Sequence, residues 1–140
     1  MLVEHPRVKR IVTLFSIAFI LNLVWENAHA FLYGAYQGGA ITEFILLRAT
    51  LADAVMITAI SAPFLFFPLI KKYSWLIVVI ATSVAVCIEW YALATNRWAY
   101  NQYMPIIPGL GVGLTPTVQL ALLGYLSYLI EDRFPSISVS

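Results

Sequence analysis

Charge is what this sequence has least of: only 11% of its 140 residues are Asp, Glu, Lys or Arg, where a soluble domain carries about a quarter. With 61% of residues hydrophobic, that shortage excludes a water-exposed surface over most of the chain, and the expected solvent is lipid. The formal net charge of +1 provides no clustered basic face, which excludes a nucleic-acid partner. Cysteine is nearly absent. Cys87, alone in an apolar run, rules out internal disulfides, CxxC redox chemistry and a cysteine zinc site. There is no Gly-x-Ser-x-Gly, no P-loop and no Ser/His/Asp set, so nucleophilic hydrolysis has no support. An internal repeat is missing too, as is the period-2 alternation of barrel strands, which leaves helices as the way across a bilayer.

What is present is length of apolar sequence. A span needs about 20 mostly apolar residues to cross roughly 30 Å of hydrocarbon, and four segments qualify, at about 11–32, 45–70, 75–93 and 113–130. The first has basic residues before it, as a signal peptide would, but it continues past Val24 and no small-residue cleavage site closes it. Arg7, Lys9, Arg10, Lys71, Lys72 and Arg133 fall on one side of the resulting topology, against Arg48 and Arg97 on the other. By the positive-inside rule both termini are cytoplasmic. The expectation is a single all-α domain over residues 1–140, a multi-pass protein of the plasma membrane built as an antiparallel four-helix bundle. Pro63 and Pro68 can kink the second span without ending it, and the tail after Arg133 should fray.

The few polar residues are not scattered. Asn22, Glu26, His29 and Tyr33 are spaced by four, three and four, which puts them on one face of a helix. Thr82, Ala85, Glu89, Ala92 and Asn96 repeat the pattern in the third span, while Arg48, Thr50 and Asp53 come from the second and Thr115, Thr117 and Gln119 from the fourth. At 1.5 Å of rise per residue, Glu26, Asp53 and Glu89 all lie roughly 24 to 26 Å from the cytoplasmic boundary, at one level in the outer leaflet. A charge in hydrocarbon costs at least about 2.5 kcal/mol, so three carboxylates at one depth should face one another across the bundle. Two guanidinium groups, Arg48 and Arg97, cannot neutralise three acids, and at least one acid stays protonated or shares a proton. Ion pairs of Arg48 with Asp53 or Glu26, and of Arg97 with Glu89, are the structural reading of the same residues.

Glu26 and His29 form an E-x-x-H pair, the spacing of carboxylate-bridged di-iron bundles. Those sites need a second pair, and the other histidine, His5, lies outside the spans. No resident metal or cofactor is therefore expected, a single divalent ion at Glu26 and His29, with Asp53 and Glu89, being the alternative. Trp25, Trp90, Trp98, Tyr100 and Tyr103 gather near the outer boundary, either as an aromatic belt or as the walls of a slot for an elongated apolar ligand. The belt suits Trp98 and Tyr103 best, whereas Trp25 and Trp90 adjoin the carboxylates and fit either reading; Trp90, Trp98 and Tyr100 are kept as candidates for the ligand wall. Pro105, Pro108, Gly109, Gly111 and Gly113 prevent a regular helix between spans three and four. That connection is expected on the outer side, as a lid over the polar cluster or as an ordinary loop. Thr115 should cap the last helix, with Pro116 in its first position.

These residues also carry a resemblance. The pair Trp25-Glu26, the Leu51-x-Asp53 element, and the run EWYAL (from Glu89) through RWAYNQYMPIIPGLGVGLTPTVQ (Arg97 to Gln119) resemble a group of small bacterial four-span membrane proteins of uncharacterised function. Its matching positions continue through Met104, Pro105, Pro108, Gly113 and Pro116. The resemblance covers most of the chain and implies a fold and a site location without an activity. Three functions compete. One is an acid–base enzyme acting on a lipid-soluble molecule such as an isoprenoid or a lipid, with Glu26, Asp53 and Glu89 as proton donors and acceptors. In that reading Asn22, His29, Tyr33, Arg48, Trp90, Arg97, Trp98, Tyr100 and Gln119 bind the substrate or stabilise charge. The second is a small proton-coupled transporter or channel acting as a homodimer. The third is an accessory subunit whose polar cluster locks its helices together. Membrane lipid is the expected partner in each.

Overall fold

A computed structural model describes residues 5–135; most of the tail, residues 136–140, lies outside them. The chain is mostly helical, and each helix begins and ends for a local reason. Helix α1 (Pro6–His29) has Pro in its first turn, where a missing N–H costs nothing, and runs into a 3₁₀ turn at Ala30–Leu32. Helix α2 (Glu43–Phe66) is capped by Thr42, whose hydroxyl accepts from the Ile45 N–H at 3.3 Å, with Glu43 in the first turn. Pro63 is accommodated inside α2. Pro68 is not: Phe67 before it is pushed to an extended conformation (φ −110°, ψ 102°), as the clash with a following proline ring requires. The expected span over 45–70 is therefore broken at Phe67, and a separate turn, α3 (Pro68–Lys71), follows.

Helix α4 (Leu76–Ala94) stops at Asn96, which adopts the left-handed conformation at φ 54°. The Arg97 N–H then reaches the Ala92 carbonyl at 2.8 Å and the Asn96 N–H the Leu93 carbonyl at 3.3 Å, the two bonds of a Schellman motif. Asn96 thus ends the helix and is exposed; it does not extend the inward face of Glu89. The last helix, α5, spans Leu114–Arg133 and begins after Gly113 with no side-chain cap.

A feature with no counterpart in the sequence reading joins the two loops at one end. Strands β1 (Tyr33–Tyr36) and β2 (Trp98–Tyr100) pair antiparallel, Tyr33 against Tyr100 and Tyr36 against Trp98. β1 closes in a tight turn in which Gln37 (φ 49°) and Gly38 (φ 75°) are both left-handed. That is the geometry of a type I′ turn, for which glycine is suited. The pairing brings the end of α1, the start of α2 and the end of α4 to a common end of the molecule.

Among the described residues, three helices are long and apolar enough to cross a membrane: Pro6–Leu32 including the 3₁₀ turn, Glu43–Phe66 and Leu76–Ala94. Helix α5, expected as the fourth span, falls outside that class. The reason is that α5 packs against α1, α2 and α4 and turns its polar residues inward, with Thr117, Gln119, Ser127 and Glu131 all buried. Around it the core is made of small and aliphatic side chains, among them Ala18, Ala54, Ile57, Ala81, Ala85 and Leu120, which let helix backbones approach closely. Large aliphatic residues such as Ile20, Val24, Leu47, Val55, Val79 and Leu122 point outward. Apolar outside and polar inside is the arrangement lipid selects.

Candidate functional site

Gln119 is the centre of the polar cluster. Asn22 on α1 donates its amide N–H to the Ala18 carbonyl at 2.7 Å, so its Oδ1 faces α5, and Gln119 must answer with its NH₂ group. Gln119 Nε2 lies 2.9 Å from Asn22 Oδ1, 2.6 Å from Glu26 Oε1 and 2.8 Å from Asp53 Oδ2. One amide thus ties α5 to α1 and α2. Its two hydrogens serve three acceptors, so the Glu26 and Asp53 carboxyls meet on one amide nitrogen.

Glu26 also faces His29, whose Nε2 is 3.5 Å from Glu26 Oε2. His29 Nδ1 is 3.1 Å from the Thr115 hydroxyl, which itself donates toward Met104 Sδ at 3.4 Å. Thr115 is accordingly not the helix cap expected of it. Pro116 stands one residue deeper than the first helical positions, because the helix starts at Leu114.

Glu89 on α4 completes the set. The Trp98 indole N–H donates to Glu89 Oε2 at 3.1 Å, the Tyr100 hydroxyl donates to the same oxygen, and that hydroxyl accepts from the Gly113 N–H at 2.9 Å. The β1–β2 pairing places Tyr33 edge-on against Trp98, Tyr100 and His29, with ring centroids 6.3, 5.5 and 5.4 Å apart. Burial lifts the Tyr33 phenol above its ordinary pKa, and the nearby Glu89 adds to this. Burial also lifts that of Tyr100, reinforced by its hydrogen bond to Glu89. Both therefore stay neutral donors through the physiological range.

Glu26, Asp53 and Glu89 line one cavity of about 420 Å³, within the size range of small-molecule sites. Tyr33, Arg48, Arg97, Trp98 and Gln119 share its wall, together with apolar residues of α2 and α4 such as Ile45, Ala49, Met56 and Ile88. Asn22, His29 and Tyr100 stand behind this wall and orient it through the bonds above. Trp90 does not belong to the wall. Following Glu89 by one residue, it turns about 100° away on the helix, is exposed, and donates its indole N–H to the Leu110 carbonyl at 2.8 Å.

The expected arginine–carboxylate pairs are also not formed. Among the described residues no Arg or Lys lies within ion-pairing distance of Glu26, Asp53 or Glu89. Arg48 is exposed over the Phe44 ring and Arg97 over the Tyr91 ring, at 6.0 and 5.8 Å. Neutral donors already satisfy the acids, and a guanidinium keeps more hydration by reaching outward than by being drawn into hydrocarbon. Nor, among the described residues, does any group of three or more His, Cys, Asp or Glu side chains converge as a metal site. The connection from Met104 to Gly113, expected as a lid or an ordinary loop, contributes no residue to the cavity wall; Met104 and Val112 are buried, and Ile106 pairs with Gly113. Thr115 and Met104 are the two site contributors that sequence reasoning assigned elsewhere, and Thr115's place four residues before Gln119 on the same helical face was the signal available. No protein-family model, curated protein or solved structure matches the chain.

Proposed function

We propose that this protein is a multi-pass membrane protein of the plasma membrane, its four long helices an antiparallel bundle with both termini cytoplasmic, and that the cavity is the acid–base site of an enzyme acting on a lipid-soluble molecule of the isoprenoid or lipid class. One observation carries the reading: three carboxyls line a single cavity bordered by the apolar faces of α2 and α4, each hydrogen-bonded by neutral donors instead of being neutralised by arginine. Acids held this way can exchange protons with a bound molecule, whereas salt-bridged acids are fixed in their ionised form. The Glu26–Asp53 pair supplies a shared proton, His29 connects that pair to Thr115, and Glu89 is the second acid or base across the cavity.

The test begins with extraction of the protein in mild detergent and identification of co-purified lipid by mass spectrometry. That lipid is then incubated with the protein in heavy water. Wild type is expected to convert it or to exchange carbon-bound hydrogen, and Glu26→Gln, Asp53→Asn and Glu89→Gln are each expected to slow this by about 100-fold or more. Neither conversion nor exchange by wild type would remove the enzymatic reading. A structural reading is favoured by one bond set, the Gln119 amide tying α5 to α1 and α2. It requires the same variants to melt well below wild type, which the enzymatic reading does not.

A further inference from the structure

The two arginines that fail to pair with the acids are placed as a recognition device. Arg48 precedes Asp53 by five residues on α2, about 7.5 Å along the axis, and Arg97 lies just beyond the end of α4. Both therefore sit toward the β1–β2 end of the cavity, outward of the carboxyls, and both line its wall while remaining exposed. Inward of them the lining becomes apolar: Ala49, Ala52, Met56 and Ile88. It lies where α2 and α4 meet only thinly, and Ala52 on this part of the wall is exposed. A cavity with a cationic rim and an apolar seam opening to lipid is complementary to a molecule charged at one end and apolar along its length.

We propose that the cavity binds an amphiphile with a phosphate-type anionic head, clamped by Arg48 and Arg97 at the mouth, its chain entering between α2 and α4. Guanidinium suits this role because its planar fork donates two parallel hydrogen bonds to one oxyanion. The first carbons of the chain then lie beside Glu26, Asp53 and Glu89, which the head itself does not reach. The proposal rests on the reading of the cavity as a ligand site and specifies what that ligand carries.

Binding is measured by native mass spectrometry of the full chain in an uncharged maltoside detergent, with dodecyl phosphate, dodecanol and inorganic phosphate as probes. Dodecyl phosphate is expected to bind at least about tenfold more tightly than dodecanol, the worth of one charge-assisted hydrogen bond, and inorganic phosphate not measurably. The double variant Arg48→Gln/Arg97→Gln should bring dodecyl phosphate down to the level of dodecanol, and Arg48→Lys/Arg97→Lys should recover part of the difference. Equal binding of dodecyl phosphate and dodecanol, or wild-type affinity in the double glutamine variant, overturns the anionic head while leaving the acid–base reading intact. Failure of both chain-bearing probes to bind overturns the ligand site itself.

Discussion

At the scale of single residues, the spacing of polar positions told more than their charges did. The four, three, four ladder of Asn22, Glu26, His29 and Tyr33 is a property of the helix and could be read directly, and Asn22, Glu26 and His29 are all buried. The partners were not legible in the same way. Counting charges suggests that arginine answers carboxylate, yet the acids are answered by Gln119, Trp98 and Tyr100, because a neutral donor in hydrocarbon avoids the desolvation cost of a guanidinium. Tyr33 and Tyr100, the raised phenols beside the cavity, provide a test. A tyrosine whose folded-state pKa is raised contributes stability that is fully present below its unfolded value, about 10, and loses it as pH rises beyond. In an alkaline titration followed by tyrosinate absorbance, Tyr33 and Tyr100 are expected to ionise after the exposed tyrosines, and only as the fold is lost. Tyr33→Phe/Tyr100→Phe should take two tyrosines out of that late phase, leaving the buried Tyr128, and an undiminished late phase would show that the two phenols are not shielded as described.

At the scale of elements, the helices were legible and their ends less so. Apolar length located α1, α2 and α4, but the break at Phe67 depends on how the chain before Pro68 relaxes, and the β1–β2 pairing joins segments more than sixty residues apart, which no local pattern announces. The Pro/Gly connection could be recognised as irregular, while its attachment could not. Here Trp90 reaches Leu110 and the Leu114 N–H reaches the Pro105 carbonyl at 2.7 Å, so the segment is pinned at both sides. Gly113 is the tight point, and its constraint is space, since its backbone is in an ordinary conformation (φ −64°). A Cβ there would stand 2.8 Å from Met104 Sδ and 3.1 Å from Pro116 Cδ. Met104 is buried and in contact with Thr115, so it has little freedom to retreat. Gly113→Ala is expected to destabilise the protein by about 1 to 3 kcal/mol, the usual range for overpacking. Thermal melting in detergent against wild type reads this, and an unchanged midpoint would mean that the segment is looser than its contacts indicate.

At the scale of the molecule, composition announced a lipid environment, and the inside-out distribution of residues agrees with it. What composition could not convey is that a long helix outside the membrane-crossing class is the central one: the polar residues that lower the hydropathy of α5 include Gln119, which organises the site. Its far end carries a second buried charge. Glu131, fully buried, accepts from Arg10 at 2.9 Å, and next to it Asp132 pairs with Lys71 at 2.7 Å, the lysine half exposed. Arg10 and Lys71 entered the sequence reading only as topology signals, with equal weight. Their environments make them unequal. Removing Arg10 strips a buried carboxylate of a cationic partner, a loss that costs about 3 kcal/mol or more, whereas the Lys71 pair is screened by solvent and contributes about 0.2 to 1 kcal/mol. Arg10→Gln should therefore lower the melting midpoint far more than Lys71→Gln does. Equal effects of the two single variants would show that Glu131 is as well solvated as Asp132, and that the end of α5 opposite the cavity is open to water.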